Sequence, residues 1–385
     1  MKLALVVPGG VGRVSADGWI PCLHWLIERL ARRHEVHVFS LRGAPRPDVY
    51  PFFGATVHHA GAHPIRLRTF GAIVAEHRRG PFDVLHAFWV APAGVIAGWA
   101  GRVLGRPVLV HVAGGELVAL PDIGYGGQQS WRGRFWVRLG LSGASRITAA
   151  SAQMVDALRA RGHAAERVPL GVDLEQWRPV PPRQRRPGSM ARLIHVASLN
   201  RVKDQLTLLE AARRLAAAGV PFQLDIAGGD ALGGAVQAAA QGLGLGDRVR
   251  FHGRISHAEL HPLVVEGDVL WLASRHEAGP LAVLEAAVAG VPTVGTAVGH
   301  VAEWAPAAAV AVPAGDPEAF ARETLALLHD EPRRLALARE AQCRALACDA
   351  DWTARRFESL YRDVATPDVP SRPATAGVGS VPRPR

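Results

Sequence analysis

Short apolar runs alternate with stretches of helical periodicity along the first half of this chain, and after an interruption the same alternation begins again. Residues 2–7, 35–41, 84–87, 108–112 and 146–149 read as strands, and Ile20, Leu23, Ile27 and Leu30 mark one face of a helix between the first two. Such a succession predicts a parallel sheet with helices on both faces. The interruption, Pro179-Val-Pro-Pro-Arg-Gln-Arg-Arg-Pro-Gly188, reads as an exposed linker. Beyond it the pattern resumes, with strands at 193–197, 223–227, 249–252, 269–273 and 292–295 and a helix from about residue 204 to 218. At 385 residues the chain exceeds what one core usually sustains, and 49% apolar against 20% charged residues suffices for two. The expected units are residues 1–180, a linker over 181–190, a second unit over 191–348, a C-terminal helix over 349–365 and a disordered Pro/Ser/Thr/Arg-rich tail over 366–385. Open α/β sheets bind ligands at the carboxyl ends of their strands, so a site in the cleft between two facing sheets follows.

The three cysteines, Cys22, Cys343 and Cys348, are odd in number and lack metal-ligand spacing, which suits a reducing cytoplasm. Met1-Lys2 runs straight into an apolar run and a glycine loop without a small-residue cleavage site, so no leader is expected. No apolar run reaches the length of a membrane span, and a soluble cytosolic protein is expected. The histidines, including His58, His59 and His63, lack ligand spacing, and neighbours on a strand point to opposite faces, so no metal site is expected. The net charge of +10 favours acidic partners, whether nucleotide diphosphates, anionic lipid headgroups or nucleic acid. Arginines such as Arg29, Arg32, Arg33, Arg78 and Arg79 are spread through helices without a nucleic-acid-binding motif, so nucleic acid is not an expected partner. Two readings of the charge stay open: a solvated arginine-rich surface, and peripheral contact with an anionic membrane at its inner face.

Glu277 and Glu285, in Glu277-Ala-Gly-Pro-Leu-Ala-Val-Leu-Glu285, stand in an otherwise apolar stretch, although carboxylates are seldom buried without a partner. The continuation Ala286-Ala-Val-Ala-Gly290-Val-Pro292 reads as a buried helix closed by glycine and then proline. Pro280 suits the first helical position, and the free N–H groups of Leu281 and Ala282 point out of a helix start that attracts anions, phosphate above all. In one reading Glu277 complements the helix dipole and Glu285 pairs with a basic side chain. In the other the two carboxylates hold hydroxyl groups on either side of a diphosphate.

The segment resembles the Glu-x7-Glu signature of retaining glycosyltransferases with the two-domain GT-B fold, glycosyltransferase family 4 in particular. The resemblance runs from residue 2 to about 362 and is strongest over 193–312. Ala197-Ser-Leu-Asn-Arg-Val-Lys203 resembles the family's Gly-Arg-Leu-x-x-x-Lys motif: Lys203 matches its lysine, Ser198 stands at its arginine, and Arg201 is the candidate replacement. Val168-Pro-Leu-Gly-Val-Asp173 resembles the Pro-Asn-Gly-Val-Asp segment, with Leu170 for asparagine. Where many members carry His-Gly-x-Asp this chain has Ala113-Gly114-Gly115-Glu116, without the histidine but with an acidic group retained. Phe251-His-Gly253-Arg254-Ile255 is similar to the region that borders the nucleotide base.

What the resemblance implies is two facing Rossmann-like domains, an acceptor-side one first and a nucleotide-sugar-binding one second. It also implies transfer of a sugar, with retention, from a nucleotide-diphosphate-sugar to a hydroxyl-bearing glycan or lipid-linked acceptor, without a metal or other cofactor. Lys203 and Glu277 are the catalytic candidates. Donor-binding candidates are Gly10, Gly12, Ser198, Arg201, Gly253, Arg254, Ala278, Gly279, Pro280, Leu281, Ala282 and Glu285, and acceptor-side candidates are Arg13, Gly114, Gly115, Glu116, Asp122 and Tyr125. Pro8-Gly-Gly-Val-Gly12 does not fit a dinucleotide loop, since Ser15 holds the third glycine position and Ser40-Leu41-Arg42 offers no acid for a ribose. A plain structural turn there, an exposed Lys203 and an ordinary loop over 120–129 remain the competing readings. Envelope or extracellular polysaccharide synthesis is the expected setting. A sugar-nucleotide epimerase on the same fold and a non-catalytic nucleotide-sugar-binding protein are the alternatives.

Overall fold

A computed structural model describes residues 1–12, 20–42, 46–61, 63–186 and 188–366; Arg13 and the tail from residue 367 lie outside the described residues. The first sheet comprises β1 (Lys2–Val7), β2 (Glu35–Ser40), β3 (Pro47–Phe52), β4 (Ala55–Ala60), β5 (Val84–Phe88), β6 (Val108–Val112), β7 (Arg146–Ala149) and β8 (Glu166–Arg167). Their spatial order is β3-β4-β2-β1-β5-β6-β7-β8, and all neighbours are parallel except β3 and β4. Helices α1 (Pro21–Ala31), α2 (Ile65–Arg79), α3 (Val95–Leu104), α4 (Trp131–Ser142) and α5 (Ala152–Arg159) connect them. Leu3, Ala4, Leu5, Val6 and Val7 are all buried, because a central parallel strand is covered on both faces and so reads as an unbroken apolar run.

The second sheet is wholly parallel, in the order β11-β10-β9-β12-β13-β14. Its strands are β9 (Ala191–Val196), β10 (Phe222–Ala227), β11 (Val249–Gly253), β12 (Val269–Leu272), β13 (Thr293–Thr296) and β14 (Val310–Val312). Its helices are α6 (Gln205–Ala217), α7 (Ala235–Gly242), α8 (His257–Val265), α9 (Leu281–Val288), α10 (Gly299–Trp304), α11 (Pro317–His329), α12 (Glu331–Ala347) and α13 (Ala350–Ala365). Side-chain caps start several of them: Asp204 accepts from Thr207 N, and Ser256 and Glu259 form a capping box. The two sheets and their helices constitute a GT-B fold.

Helix α13 lies across the first sheet's domain. Arg29 of α1 reaches Asp351 at 2.8 Å and Asp173 at 3.2 Å, and Tyr361 Oη sits 2.8 Å from His86 Nδ1 of β5. A Cβ at Gly171 would fall 2.1 Å from the Cys348 carbonyl oxygen, so only glycine lets α13 start against the exit from the first domain.

The structure adds one element that the sequence pattern lacks and alters two local readings. The β3–β4 hairpin carries no strong signal because Tyr50 alone of β3 is buried. Pro280 is the N-cap of α9, with extended ψ of 117°, not its first helical residue. His58 does meet other potential ligands: neighbouring strands bring His37 Nδ1 within 2.9 Å of His58 Nε2, and Glu76 joins from α2. Lys2 Nζ stands among them, 2.8 Å from Glu76 and 3.0 Å from Glu35, and supplies the cation that balances this cluster.

Candidate functional site

The loop between β12 and α9 and the loop between β9 and α6 both leave the carboxyl ends of parallel strands, and there the second domain faces the first. Lys203 comes from the β9 loop, Glu277 from the β12 loop. Lys203 Nζ lies 2.5 Å from Glu277 Oε1, which also accepts from Ser274 Oγ at 2.6 Å. Only 9% of Glu277 is exposed, so its charge depends on that ammonium. An ammonium has three donors, and the carboxylate takes one.

Helix α9 begins a few residues on, with no side-chain cap at Pro280. A Cβ at Gly279 would come 2.7 Å from the Cβ of Ala150 and 3.2 Å from His300 Nε2, so the helix start presses on the first domain through a glycine. Ala278 is buried in the first domain's apolar core, and what it and Gly279 offer a ligand is backbone. Leu281 and Ala282 open the helix and are half-buried.

Glu285 is one turn further in and 3% exposed, with Oε1 2.9 Å from His257 Nε2; its backbone carbonyl accepts from Trp177 Nε1 at 2.7 Å. His257 also lines a cleft of about 710 Å³ between the ends of β9, β10 and β11 and helix α1 of the other domain. Ser198 and Arg254 line it from the second domain, Trp25 from the first, and the rings of Trp25 and His257 are 5.4 Å apart. Gly253 is beside this cleft with φ of 65°, its carbonyl holding Gly228 N at 2.8 Å. Arg201 does not share the cleft with Ser198. It is exposed and lines a second cavity of about 500 Å³ together with Asp122 and Arg275. The intervening turn thus places the candidate replacement, Arg201, in a different cavity from Ser198, which stands at the motif's arginine position.

On the facing side, Asp122 makes a short ion pair with Arg275, which holds the Asp122 carboxyl below its ordinary range. Tyr125 packs against Gly115, where a Cβ would fall 2.6 Å from its ring. Burial, with the carboxylates of Glu277 and Glu116 nearby, pushes the Tyr125 hydroxyl up to about 12. His276 bridges the domains: Nε2 is 3.2 Å from the Gly114 carbonyl oxygen, and burial lowers its pKa, keeping the ring neutral. Glu116 faces backbone of its own loop and of the segment after β5, because its carboxylate accepts from Gly114 N at 2.8 Å and Val90 N at 3.2 Å. Burial raises its pKa. Gly10 and Gly12 have φ of 74° and 127°, and the Gly10 carbonyl accepts from His24 at 2.8 Å while a Cβ at Gly12 would collide with the Tyr50 hydroxyl. The packing of the first domain is thus enough to require both glycines. His276, His257, Trp25 and Ser274 carry no sequence pattern of their own; His276 and His257 are flagged only by adjoining Glu277 and the Ser256 cap.

Residues 17–171 match the model of the glycosyl transferase 4-like domain, and residues 181–344 that of glycosyl transferases group 1. The chain is 29% identical over 370 residues to D-inositol 3-phosphate glycosyltransferase 1 of Catenulispora acidiphila, covering 85% of this chain and 86% of that protein. Its fold is similar to that of a sucrose-phosphate synthase from Thermosynechococcus elongatus, with a TM-score of 0.78 at 22% identity over 94% of this chain and 99% of that one. It is also similar to Anabaena HepE in complex with UDP-glucose, with a TM-score of 0.74 at 18% identity over 94% and 100% of the two chains. No helix among the described residues is long and apolar enough to cross a membrane.

Proposed function

We propose that this chain, a GT-B glycosyltransferase built from a 4-like and a group 1 domain, moves a sugar from a nucleotide-diphosphate-sugar to a hydroxyl acceptor with retention at the anomeric carbon. The observation that carries the reading is Lys203 Nζ at 2.5 Å from Glu277 Oε1, beside the uncapped start of α9. In this reading the diphosphate lies on Lys203 and the N–H groups of Gly279, Leu281 and Ala282. Phosphate draws part of the ammonium's charge, and Glu277 turns to the sugar hydroxyls. Positive charge placed where the departing diphosphate develops its negative charge lowers the barrier, so the proposed chemistry requires no metal ion. Glu285, with His257, holds the ribose, and the cleft lined by Ser198 and Arg254 takes the base.

The acceptor, a hydroxyl-bearing glycan or lipid-linked molecule, enters from the side of Asp122, Tyr125 and His276. The departing phosphate takes the acceptor's proton, so no protein base is assigned. The reading puts the protein in the cytoplasm in envelope or extracellular polysaccharide synthesis, in peripheral contact with an anionic membrane. Purified protein is tested for turnover of UDP-, GDP-, ADP- and dTDP-sugars in the presence of EDTA, with D-inositol 3-phosphate, the acceptor in its relative's name, among the trial acceptors. Turnover falls steeply in Lys203→Ala and Glu277→Ala, and unchanged rates in both sink the assignment.

A further inference from the structure

Helices α2, α3 and α4 carry many arginines and a single carboxylate, that of Glu76, which is buried and held by Lys2. Helix α4 begins Trp131-Arg-Gly-Arg-Phe-Trp-Val-Arg138, with Val137, Gly140 and Leu141 turned inward. Its outer face is unusual for a surface helix. Trp131 is 68% exposed and Phe135, one turn on, 53%, and Arg132, Arg134 and Arg138 are exposed beside them. The start of α2 continues this face: the Arg66 guanidinium lies 4.9 Å from the ring centroid of Trp136, and Leu67 next to it is 66% exposed.

We propose that the outer face of α4 and the start of α2 form a docking surface for an anionic lipid bilayer. The guanidinium groups pair with lipid phosphates, and the indole and phenyl rings and Leu67 enter the headgroup boundary, where amphipathic aromatic side chains are stable. Charge complementarity points to an anionic partner, and the apolar residues narrow it to one with a hydrocarbon interior. A nucleic acid would answer the arginines and leave Leu67 in water. The proposal names the surface for the membrane contact put forward above, and lipid binding is read without sugar transfer, so either reading can fail alone.

The full chain is sedimented with vesicles of phosphatidylcholine and phosphatidylglycerol in equal parts, and with phosphatidylcholine alone. Binding is expected to the first and not the second, and to weaken with salt. Arg132→Gln with Arg138→Gln lowers the affinity roughly fivefold for each arginine removed. Trp131→Ser with Phe135→Ser abolishes the vesicle-induced blue shift of tryptophan emission, and both variants melt as the parent does because the altered side chains are exposed. Equal binding to both vesicle types, unchanged binding in either variant, or displacement from anionic vesicles by a single-stranded oligonucleotide overturns the proposal.

Discussion

Glu277 and Glu116 are both buried carboxylates on loops that carry glycines at the domain interface, one in each domain, and they are held in opposite ways. Glu277 answers to an ammonium from another loop and a hydroxyl from its own. Glu116 accepts from the amides of Gly114 and Val90, and burial raises its pKa. A carboxylate balanced by a flexible lysine can release that charge to an incoming phosphate and accept hydroxyls in turn. One stitched to its surrounding backbone is committed to the shape of its loop. Equal burial therefore does not mean an equal setting: a side-chain cation and a hydroxyl hold one carboxylate, and backbone amides hold the other.

The sharpest test of this contrast is Lys203→Ala combined with Glu277→Gln, which removes the ammonium without leaving a buried charge unpaired and is expected to lower donor turnover by on the order of a hundredfold or more with a modest change in melting. Glu116→Ala should do the reverse. It leaves two buried N–H groups without an acceptor and lowers unfolding stability by about 1–3 kcal/mol, read as a lower urea midpoint at constant slope. Loss of turnover in that variant at unchanged stability would break the comparison.

Next in size is a pH effect on the Glu277 side. Burial depresses His300 to about 4, so the unfolded state takes up its proton first as pH falls. Stability from this group is full above pH 6.5 and is lost toward pH 4, by about 2 kcal/mol between pH 7 and 5. His300→Phe, which keeps the ring stacked on Trp304, should flatten that part of the melting profile. Arg275→Ala should give the smallest effect, since its partner Asp122 is exposed and such pairs contribute little. A slight rise in acceptor KM with unchanged melting is expected, and a large loss of stability would mean that this contact holds the domains together.

The fold class was legible from strand and helix alternation because each element buries a local periodic face. The β3–β4 hairpin escaped because an edge strand with one buried residue has no periodic face to read. Around the site, Lys203 and Glu277 stand out as charges at strand ends, yet the contact between them spans 74 positions and is invisible to local pattern. The same holds for His276 on Gly114 and for His257 between Glu285 and Trp25. Glu116 shows the converse: the resemblance placed it on the acceptor side, and the amides it accepts from, those of Gly114 and Val90, are invisible in its residue type.

By itself, the sequence determined two α/β units with mainly parallel sheets, a helix stopped by glycine, and which charges lie at strand ends, because propensity, capping and burial act over a few residues. Only the tertiary structure decided that Lys203 meets Glu277, that Arg201 and Ser198 face different clefts, and that Glu116 turns inward. Those outcomes depend on how separate loops close over one another, and burying a charge is tolerable only where a partner from elsewhere in the chain arrives to balance it.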